Sequence, residues 1–292
     1  MLGDAIEYPV RGEDAPTTIL VGGLLPLLAI LLVVVGLVLA VVVVGLAVLP
    51  FAVVPGIVLL GYYVAVLRAV GSGETDPPRF RDWRRLFADG LRHLAISVVY
   101  AVPLVVLAGL FLAVVAAGGE VEGDAAEIGV TFAAVVVGGL AACYLLAFAY
   151  VRPLALANFA REERFGAAFD LETIRAAGIS KAYALAWLLA ALVWFVGATL
   201  EGTLSIVLVG FFVGFYADVV RYHLYGRGLR AALGETDPTP STETARGSEE
   251  ATQRSVPRIV LPEIEEYDRF AARTRSIDRE RGWADWETDR RE

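Results

Sequence analysis

Cysteine and histidine, which supply many metal ligands and catalytic groups, are almost missing from this chain of 292 residues. Cys143 is the single cysteine, which excludes an intrachain disulfide and a metal cluster built on cysteine. The two histidines, His93 and His223, lie near predicted helix ends, where we expect interface residues rather than metal ligands. The sequence also lacks the HExxH, GxSxG and GxxxxGKS/T patterns of zinc proteases, serine hydrolases and phosphate-binding loops. We therefore expect no catalytic residue, no cofactor and no metal, in a protein that is not an enzyme.

An excess of positive charge is missing as well. The net charge is −8, and Lys181 is the only lysine among 25 basic residues. Proteins that bind nucleic acid neutralise many phosphates with lysine and arginine. This charge balance therefore argues against nucleic acid as a partner.

Charge is altogether absent from one long stretch. Residues Ile19 to Leu67 contain no Asp, Glu, Lys, Arg or His, and the whole chain has a mean hydropathy of +0.62. A single helix over this stretch would be about 73 Å long at about 1.5 Å per residue. A bilayer core is about 30 Å thick, so the stretch predicts two membrane spans joined by a turn. The preceding segment lacks a signal peptide's basic region, so we expect the first span to remain in the mature protein.

The other apolar runs extend this pattern to a fold class. We predict an all-α, polytopic integral membrane protein with about six transmembrane helices, cytoplasmic amphipathic linker helices and a disordered C-terminal tail. The six predicted spans are 18–43, 47–69, 94–117, 127–151, 181–200 and 203–222. The second span contains Pro50 and Pro55, so it is either a bent continuous helix or partly re-entrant.

Arginine is distributed unevenly between the predicted loops. Loops 68–93 and 152–181 and the end of the last span carry several arginines, whereas turns 118–127 and 199–203 have no Lys or Arg. Basic residues in short loops tend to stay on the cytoplasmic side of a membrane. All the basic regions fall on one side of a six-span layout. This predicts a multi-pass protein of the cell membrane with both termini in the cytoplasm.

The stretch PPRFRDWRRLFADGL at 77–91 has an apolar and a basic face at helical spacing, with Asp82 as its predicted N-cap. The apolar face is predicted to contain Trp83, Leu86, Phe87, Leu91 and Leu94. We predict a short helix in the plane of the interface, whose partner is the lipid bilayer and whose arginines meet anionic headgroups. The predicted membrane-interface residues are Arg81, Trp83, Arg84, Arg85 and Arg92. The alternative is a solvated loop helix that only connects two spans.

A second amphipathic segment, FGAAFDLETIRAAG at 165–178, also precedes a predicted span, and residues 2–10 are a weaker copy. The chain then divides into three units, each with a surface helix and a two-span hairpin. Each hairpin leaves the membrane through a Tyr followed by an Arg, which we call its exit. Such exits place tyrosine at the headgroup level and arginine beyond it. The pattern arises either from duplication or from three similar solutions to one physical problem.

Ionisable residues are nearly absent from the predicted membrane interior. Asp218 lies three residues before Arg221, so the two side chains can form an intramembrane pair on one helix face. Transporters usually keep such groups at mid-membrane, where they are costly unless used. We therefore expect a non-catalytic scaffold or accessory subunit in the cell membrane. The alternative is a small-solute permease built on helix breaks at Pro55 or Pro103.

The composition changes at Gly234. We predict a six-span transmembrane domain at 1–233 and an acidic, largely disordered cytoplasmic tail at 234–292. The tail is either a solvated appendage or a docking segment for a cytoplasmic protein partner. The spaced apolar residues that would dock are Ile264, Tyr267, Phe270, Trp283 and Trp286.

Two segments resemble a known family. GYYVAVLRAV at 61–70, followed by PPRFRDWRRLFADGL at 77–91, is similar to the signature of the domain of unknown function 4013 family, whose members are archaeal multi-span membrane proteins. The residues that carry the resemblance are Phe80, Asp82, Trp83, Leu86, Phe87, Asp89 and Gly90. The resemblance extends over about 1–233. It implies a multi-span helical fold and no established activity, so it assigns no functional residue.

Overall fold

A computed structural model describes residues 1–40, 45–119 and 123–235. Over these residues the chain is helical and has no strand, which confirms the predicted fold class. The described helices are α1 (Leu2–Glu7), α2 (Ala15–Ala40), α3 (Gly45–Ser72), α4 (Trp83–Gly118), α5 (Asp124–Glu162), α6 (Leu171–Gly178), α7 (Lys181–Leu204) and α8 (Gly210–Ala232). Short 3₁₀ turns lie at Tyr8–Val10, Phe165–Phe169 and Ser205–Val207. Of the predicted tail at 234–292, residues 236–292 lie outside the described residues.

Five helices in the described part of the chain are long and apolar enough to cross a membrane. They are Ala15–Ala40, Ala47–Ser72, Trp83–Gly118, Asp124–Glu162 and Lys181–Val207. These five correspond to the first five predicted spans. α3 passes through Pro50 and Pro55 as one continuous helix, so the re-entrant alternative does not apply to it.

The sixth predicted span, 203–222, corresponds to α8, which begins and ends later. α8 is not among the five candidate spans. It returns antiparallel to α7, since Gly228 lies beside Ala186 and Gly214 lies beside Glu201. α8 also packs against α2, α3 and α5. Because other helices surround it, α8 can carry charged residues along a length comparable to that of a span.

The arginine-rich stretch at 77–91 differs from the separate interfacial helix that we predicted. Asp82 is indeed the N-cap, and its carboxylate accepts a hydrogen bond from the backbone N–H of Arg85 at 3.1 Å. The helix that begins there continues without interruption to Gly118, because no helix-breaking sequence separates the linker from the span. The second predicted amphipathic segment does contain a separate short helix, α6, which Asp170 caps.

The buried core is concentrated at one end of the helical bundle, which we call the packed end. It contains the last turns of α3, α5 and α8, the first turns of α4 and α7, and the short helices α1 and α6. Its fully buried large side chains include Tyr8, Tyr62, Leu154, Phe159 and Tyr183. Toward the opposite end, many apolar side chains of α2, α4, α5 and α7 are exposed. Such surface is expected where acyl chains, rather than water, surround a helix.

Consecutive long helices form three packed pairs: α2 with α3, α4 with α5, and α7 with α8. A short helical segment precedes the first pair (α1) and the third pair (α6). The first turns of α4 occupy the equivalent place before the second pair. The order of elements therefore follows the three predicted units, with the middle surface helix fused to its span.

α3 and α4 cross in backbone contact at two glycines. A β-carbon on Gly61 would lie 1.7 Å from the Leu86 carbonyl oxygen. One on Gly90 would lie 1.8 Å from the Ile57 carbonyl oxygen. Ordinary van der Waals contact begins at 3.4 Å, so no residue with a side chain fits at either position without moving a helix.

Candidate functional site

α4 and α5 are longer than a membrane span requires. At about 1.5 Å per residue, the 36 residues of α4 extend about 54 Å and the 39 residues of α5 about 58 Å. A hydrocarbon core of about 30 Å leaves more than a third of each helix outside it. The surplus lies at the packed end, because the charge-free parts of both helices lie toward the other end. The packed end is therefore where charged side chains gather.

Asp89 is the centre of an ion-pair network at the packed end. Its buried carboxylate accepts hydrogen bonds from Arg68 and from Arg92, each at 2.8 Å. Arg85 Nε lies 3.8 Å from the same carboxylate, and Arg85 Nη2 donates to Glu163 at 2.7 Å. Arg68 Nε also lies 2.6 Å from Glu163. The network therefore holds the end of α3, the start of α4 and the residue after α5 together.

The predicted interface residues fall into two kinds of surroundings. Arg85 and Arg92 contact carboxylates of the chain itself, as described above. Arg81 Nη2 lies 3.9 Å from a carboxylate oxygen in the segment before α2. Trp83 is 48% exposed, and Arg84 is exposed with no carboxylate within 4.0 Å of its guanidinium among the described residues. Trp83 and Arg84 are therefore the two that remain most available to headgroups.

His93 and His223 are buried, whereas the sequence predicted interface positions for them. Arg152 Nη2 lies 3.1 Å from His93 Nε2 and can only donate, so Nε2 is assigned as the acceptor. The other ring nitrogen, Nδ1, then donates to the Leu60 carbonyl at 3.2 Å. Arg152 Nε donates to the Ser97 hydroxyl at 2.9 Å. His93 thus joins α3, α4 and α5 as a neutral bridge.

Asp218 and Arg221 lie on one face of α8, with Oδ1 and Nη2 2.7 Å apart. The Tyr63 hydroxyl donates to the other carboxylate oxygen of Asp218 at 2.9 Å. Arg221 Nε is buried and has no hydrogen-bond partner among the described residues. Arg221 therefore keeps one unused donor here, and a buried donor without a partner is costly.

A cleft of about 380 Å³ lies between α5, α7 and α8, beside these arginines. Arg152 and Arg221 both line it. Each guanidinium also lies over an aromatic ring: Arg152 Cζ is 5.8 Å from the Phe148 centroid and Arg221 Cζ is 5.5 Å from the Tyr222 centroid. Much of the remaining lining is apolar and includes Leu145, Leu146, Trp187, Ala191 and Trp194. The cleft is therefore a mainly apolar pocket with two cationic groups.

The two signature segments contact each other at three levels. Their glycines form the backbone crossing of α3 and α4. The Tyr62 and Phe80 rings stack with centroids 4.2 Å apart and planes at 11°. Arg68 pairs with Asp89 a little further along the same two segments. The signature residues thus hold α3 against α4.

Two carboxylates outside the membrane-spanning helices have a lowered pKa. The hydrogen bond from Arg227 holds the pKa of Asp4 below its ordinary value of 3.8, with Nη1 and Oδ2 2.8 Å apart. Hydrogen bonds from the Thr173 side chain and backbone lower the pKa of Asp170 in the same way. Both groups are charged at neutral pH. Asp4 then holds α1 to α8, and Asp170 caps α6.

These features define an α-helical integral membrane protein with several membrane-crossing helices and a charged, packed end. Within that class, the chain belongs to the family described as "Protein of unknown function (DUF4013)", which matches residues 44–215. The match confirms the family resemblance of the two signature segments. No curated protein and no solved structure matches the chain.

The sequence assigned the apolar face of α4 to the membrane interface and did not predict which face packs in the protein interior. The residues buried in α4 are Leu86, Asp89, Gly90, His93 and Ile96, which follow helical spacing. The predicted apolar face is largely exposed: Trp83, Phe87, Leu91 and Leu94 are each at least 37% exposed. In a bilayer the most apolar face of a helix turns to lipid, and the face with small and polar residues packs inside. The helical spacing of Asp89, Gly90 and His93 was the available signal.

Proposed function

We propose that this protein is a non-catalytic scaffold or accessory subunit of the cell membrane. The observation that supports this proposal is the packed end, where α1, α6 and the ends of the long helices share buried cores. The charges of α3 and α4 at this end pair with each other, as Arg68 and Arg92 do with Asp89. A rigid surface of this kind suits the task of holding another protein at the membrane.

The packed end is proposed to face the cytoplasm. Both ends of the described chain lie there: Arg227 contacts Asp4 in α1, and Arg161 contacts Glu235, each at 2.8 Å. The arginine-rich loops belong to the same end, and basic residues favour the cytoplasmic side. Both termini would then be cytoplasmic, as the loop charges predict.

A tail docked on a soluble protein would complete this role. The tail carries 15 acidic and 10 basic residues from Glu235 to Glu292, so it is unsuited to binding an anionic membrane as a polybasic anchor. Its few apolar residues are spaced apart, as in segments that fold when they bind a partner. We propose that the tail recruits a cytoplasmic protein to the side of the membrane that the packed end faces.

A small-solute permease is the second candidate, and the cleft beside Arg152 and Arg221 is the observation that favours it. Two guanidinium groups beside an apolar wall would suit an anionic solute. The scaffold is preferred because the charges around Asp89 are neutralised within the chain.

The test compares the full chain with a chain ending at Glu235, after crosslinking in cells and purification in detergent. We expect one partner to co-purify with the full chain in stoichiometric amount and to be lost from the shortened chain. The melting temperature should be the same for both. A lower melting temperature for the shortened chain would contradict the docking role, because the tail would then pack on the membrane domain.

A flux measurement separates the two candidates. Proteoliposomes that contain the full chain should release small anionic and zwitterionic solutes no faster than empty liposomes. Faster release, abolished by Arg152→Gln and retained by Arg84→Gln, would contradict the scaffold and support the permease. Arg84 is the matched control because it is exposed and has no carboxylate partner among the described residues.

A further inference from the structure

We propose that the cleft between α5, α7 and α8 binds an anionic membrane lipid. In this arrangement the lipid phosphate contacts Arg152 and Arg221, and one acyl chain lies along the apolar wall. The proposal goes beyond the scaffold role, which requires no ligand.

The first argument is the charge balance at the cationic end of the cleft. Arg221 has a carboxylate partner, Asp218, at 2.7 Å. Arg152 contacts His93 and Ser97, neither of which is anionic in this arrangement. Among the described residues, no carboxylate lies within 4.0 Å of the Arg152 guanidinium. A guanidinium beside apolar side chains without a counter-charge is costly, and an incoming anion removes that cost.

The second argument is that the two arginines are near each other. Tyr222 lies between them: its ring centroid is 5.5 Å from Arg221 Cζ and 6.0 Å from the His93 centroid. Arg152 contacts the same His93 ring. Guanidinium groups bind phosphate through paired N–H donors, and both guanidinium groups line the cleft. A phosphate in the cleft can therefore accept hydrogen bonds from both side chains.

The third argument is the apolar wall that continues away from the arginines. Leu145 lies seven residues before Arg152 on α5, which corresponds to about 10 Å at about 1.5 Å per residue. On α7, Trp194 lies seven residues after Trp187, so this wall has a similar length. A volume of about 380 Å³ is near the lower end of small-molecule sites, and it suits a phosphate with part of one chain.

The position along α5 matches the orientation of a lipid in a bilayer. Residues 128–151 of α5 are free of charge, and Arg152 is the first charged residue after them. Arg152 thus lies where α5 leaves the hydrocarbon core, near the level of lipid phosphates. A lipid can enter the cleft sideways and keep its head at the interface and its chain in the interior.

Brominated lipids provide a direct measurement, because bromine on an acyl chain quenches nearby tryptophan fluorescence. Trp187 and Trp194 line the cleft. The other tryptophans, Trp83, Trp283 and Trp286, are replaced by phenylalanine in the full chain, so that only the cleft contributes to the signal. This parent chain is titrated in mixed micelles with brominated phosphatidylglycerol or brominated phosphatidylcholine. We expect half-quenching at a mole fraction of phosphatidylglycerol about fivefold lower than that of phosphatidylcholine. One charge contact near a membrane surface accounts for a difference of this size.

Two variants and one control assign the preference to the cleft. Arg152→Gln should raise the half-quenching fraction of phosphatidylglycerol to that of phosphatidylcholine. Arg175→Gln removes the same charge from an exposed position on α6 at the same end and should leave the preference intact. Ala191→Phe fills the apolar part of the cleft without touching an arginine, and should raise the fraction for both lipids. Ala191→Phe also keeps the test decisive if Arg152→Gln does not fold.

Three results would overturn the proposal. The first is equal quenching by the two lipids in the parent chain. The second is an equal loss of preference in Arg152→Gln and Arg175→Gln, which would indicate general attraction to a basic surface. The third is full reversal of quenching by excess inorganic phosphate, which would indicate a site for a free anion rather than for a lipid.

Discussion

The backbone contact between α3 and α4 makes a strong prediction for Gly90→Ala. The added β-carbon would start 1.8 Å from the Ile57 carbonyl oxygen, whereas ordinary contact begins at 3.4 Å. The two helices would therefore have to separate by about 1.6 Å at their crossing. Overpacking of this kind costs about 1–3 kcal/mol, and more where the neighbour is backbone and cannot rotate away. We expect a loss of about 3 kcal/mol of unfolding free energy, or a melting temperature lower by about 6–12 °C.

Gly109→Ala is the matched control on the same helix. No atom lies within 4 Å of a β-carbon built at Gly109. Since alanine favours a helix by about 1 kcal/mol over glycine, this variant should be neutral or slightly more stable. Gly61→Ala should resemble Gly90→Ala, and the double variant should cost less than the sum. One separation of the helices accommodates both β-carbons, so the two effects are not additive.

The assay must not depend on thiol chemistry, because Cys143 is exposed in the folded chain. Near-ultraviolet circular dichroism during heating in detergent is suitable, with size-exclusion chromatography of heated samples as a second measurement. Similar melting of Gly90→Ala and Gly109→Ala would refute the backbone contact of α3 and α4. Strict additivity of Gly61→Ala and Gly90→Ala would refute a single shared crossing.

Three further predictions concern charge and topology. Asp89→Asn removes the buried carboxylate that pairs with Arg68 and Arg92, neither of which is itself buried, and should cost about 1.5–3 kcal/mol in the same melting assay; a loss below about 1 kcal/mol would show that the network is not needed. The hydrogen bond from Arg227 lowers the pKa of Asp4 in the folded chain, so the charged form of Asp4 stabilises the fold. This contribution to stability is fully present above the ordinary pKa of 3.8 and is lost as the pH falls through the lower folded pKa. The wild type should therefore melt above Asp4→Asn at about pH 6, and this difference should shrink at about pH 3 or below; an unchanged difference would contradict the assignment. In a cysteine-free background, Gly123→Cys should react with an impermeant maleimide from outside the cell and Ser72→Cys only after permeabilisation; outside labelling of Ser72→Cys would reverse the layout.

The spans were predictable because each depends on a local property of the sequence. Long charge-free runs located the first five, and Asp82 was recognised as a cap by its position after two prolines. The turn between α7 and α8 was predicted too early, at 199–203, within a segment that includes the charged residue Glu201. In the structure α7 continues to Leu204, and the Glu201 carboxylate packs against Gly214. A glycine on a neighbouring helix provided room for the charge, and a single sequence does not show which helices are neighbours.

The candidate site depends on contacts that are far apart in the sequence. The pairing of Arg68 with Asp89 requires the glycine crossing, which brings two helices closer than their hydropathy alone would suggest. Arg152 and Arg221 come together only because α5 packs against α8. In contrast, Asp218 and Arg221 are three residues apart, and helical geometry alone places them on one face.

Because buried contacts are concentrated at one end, the paired helices α4 and α5 are held by the rest of the protein only at the packed end. Over their most apolar segments, neither helix is buried in the rest of the protein. Mismatch between a hydrophobic segment and the bilayer is usually relieved by tilting, at a fraction of a kcal/mol per ångström. When the surrounding bilayer thins or thickens, this pair is therefore free to tilt in the far leaflet while the Asp89 network stays intact. The same sequence can then keep the packed end unchanged in membranes of different thickness.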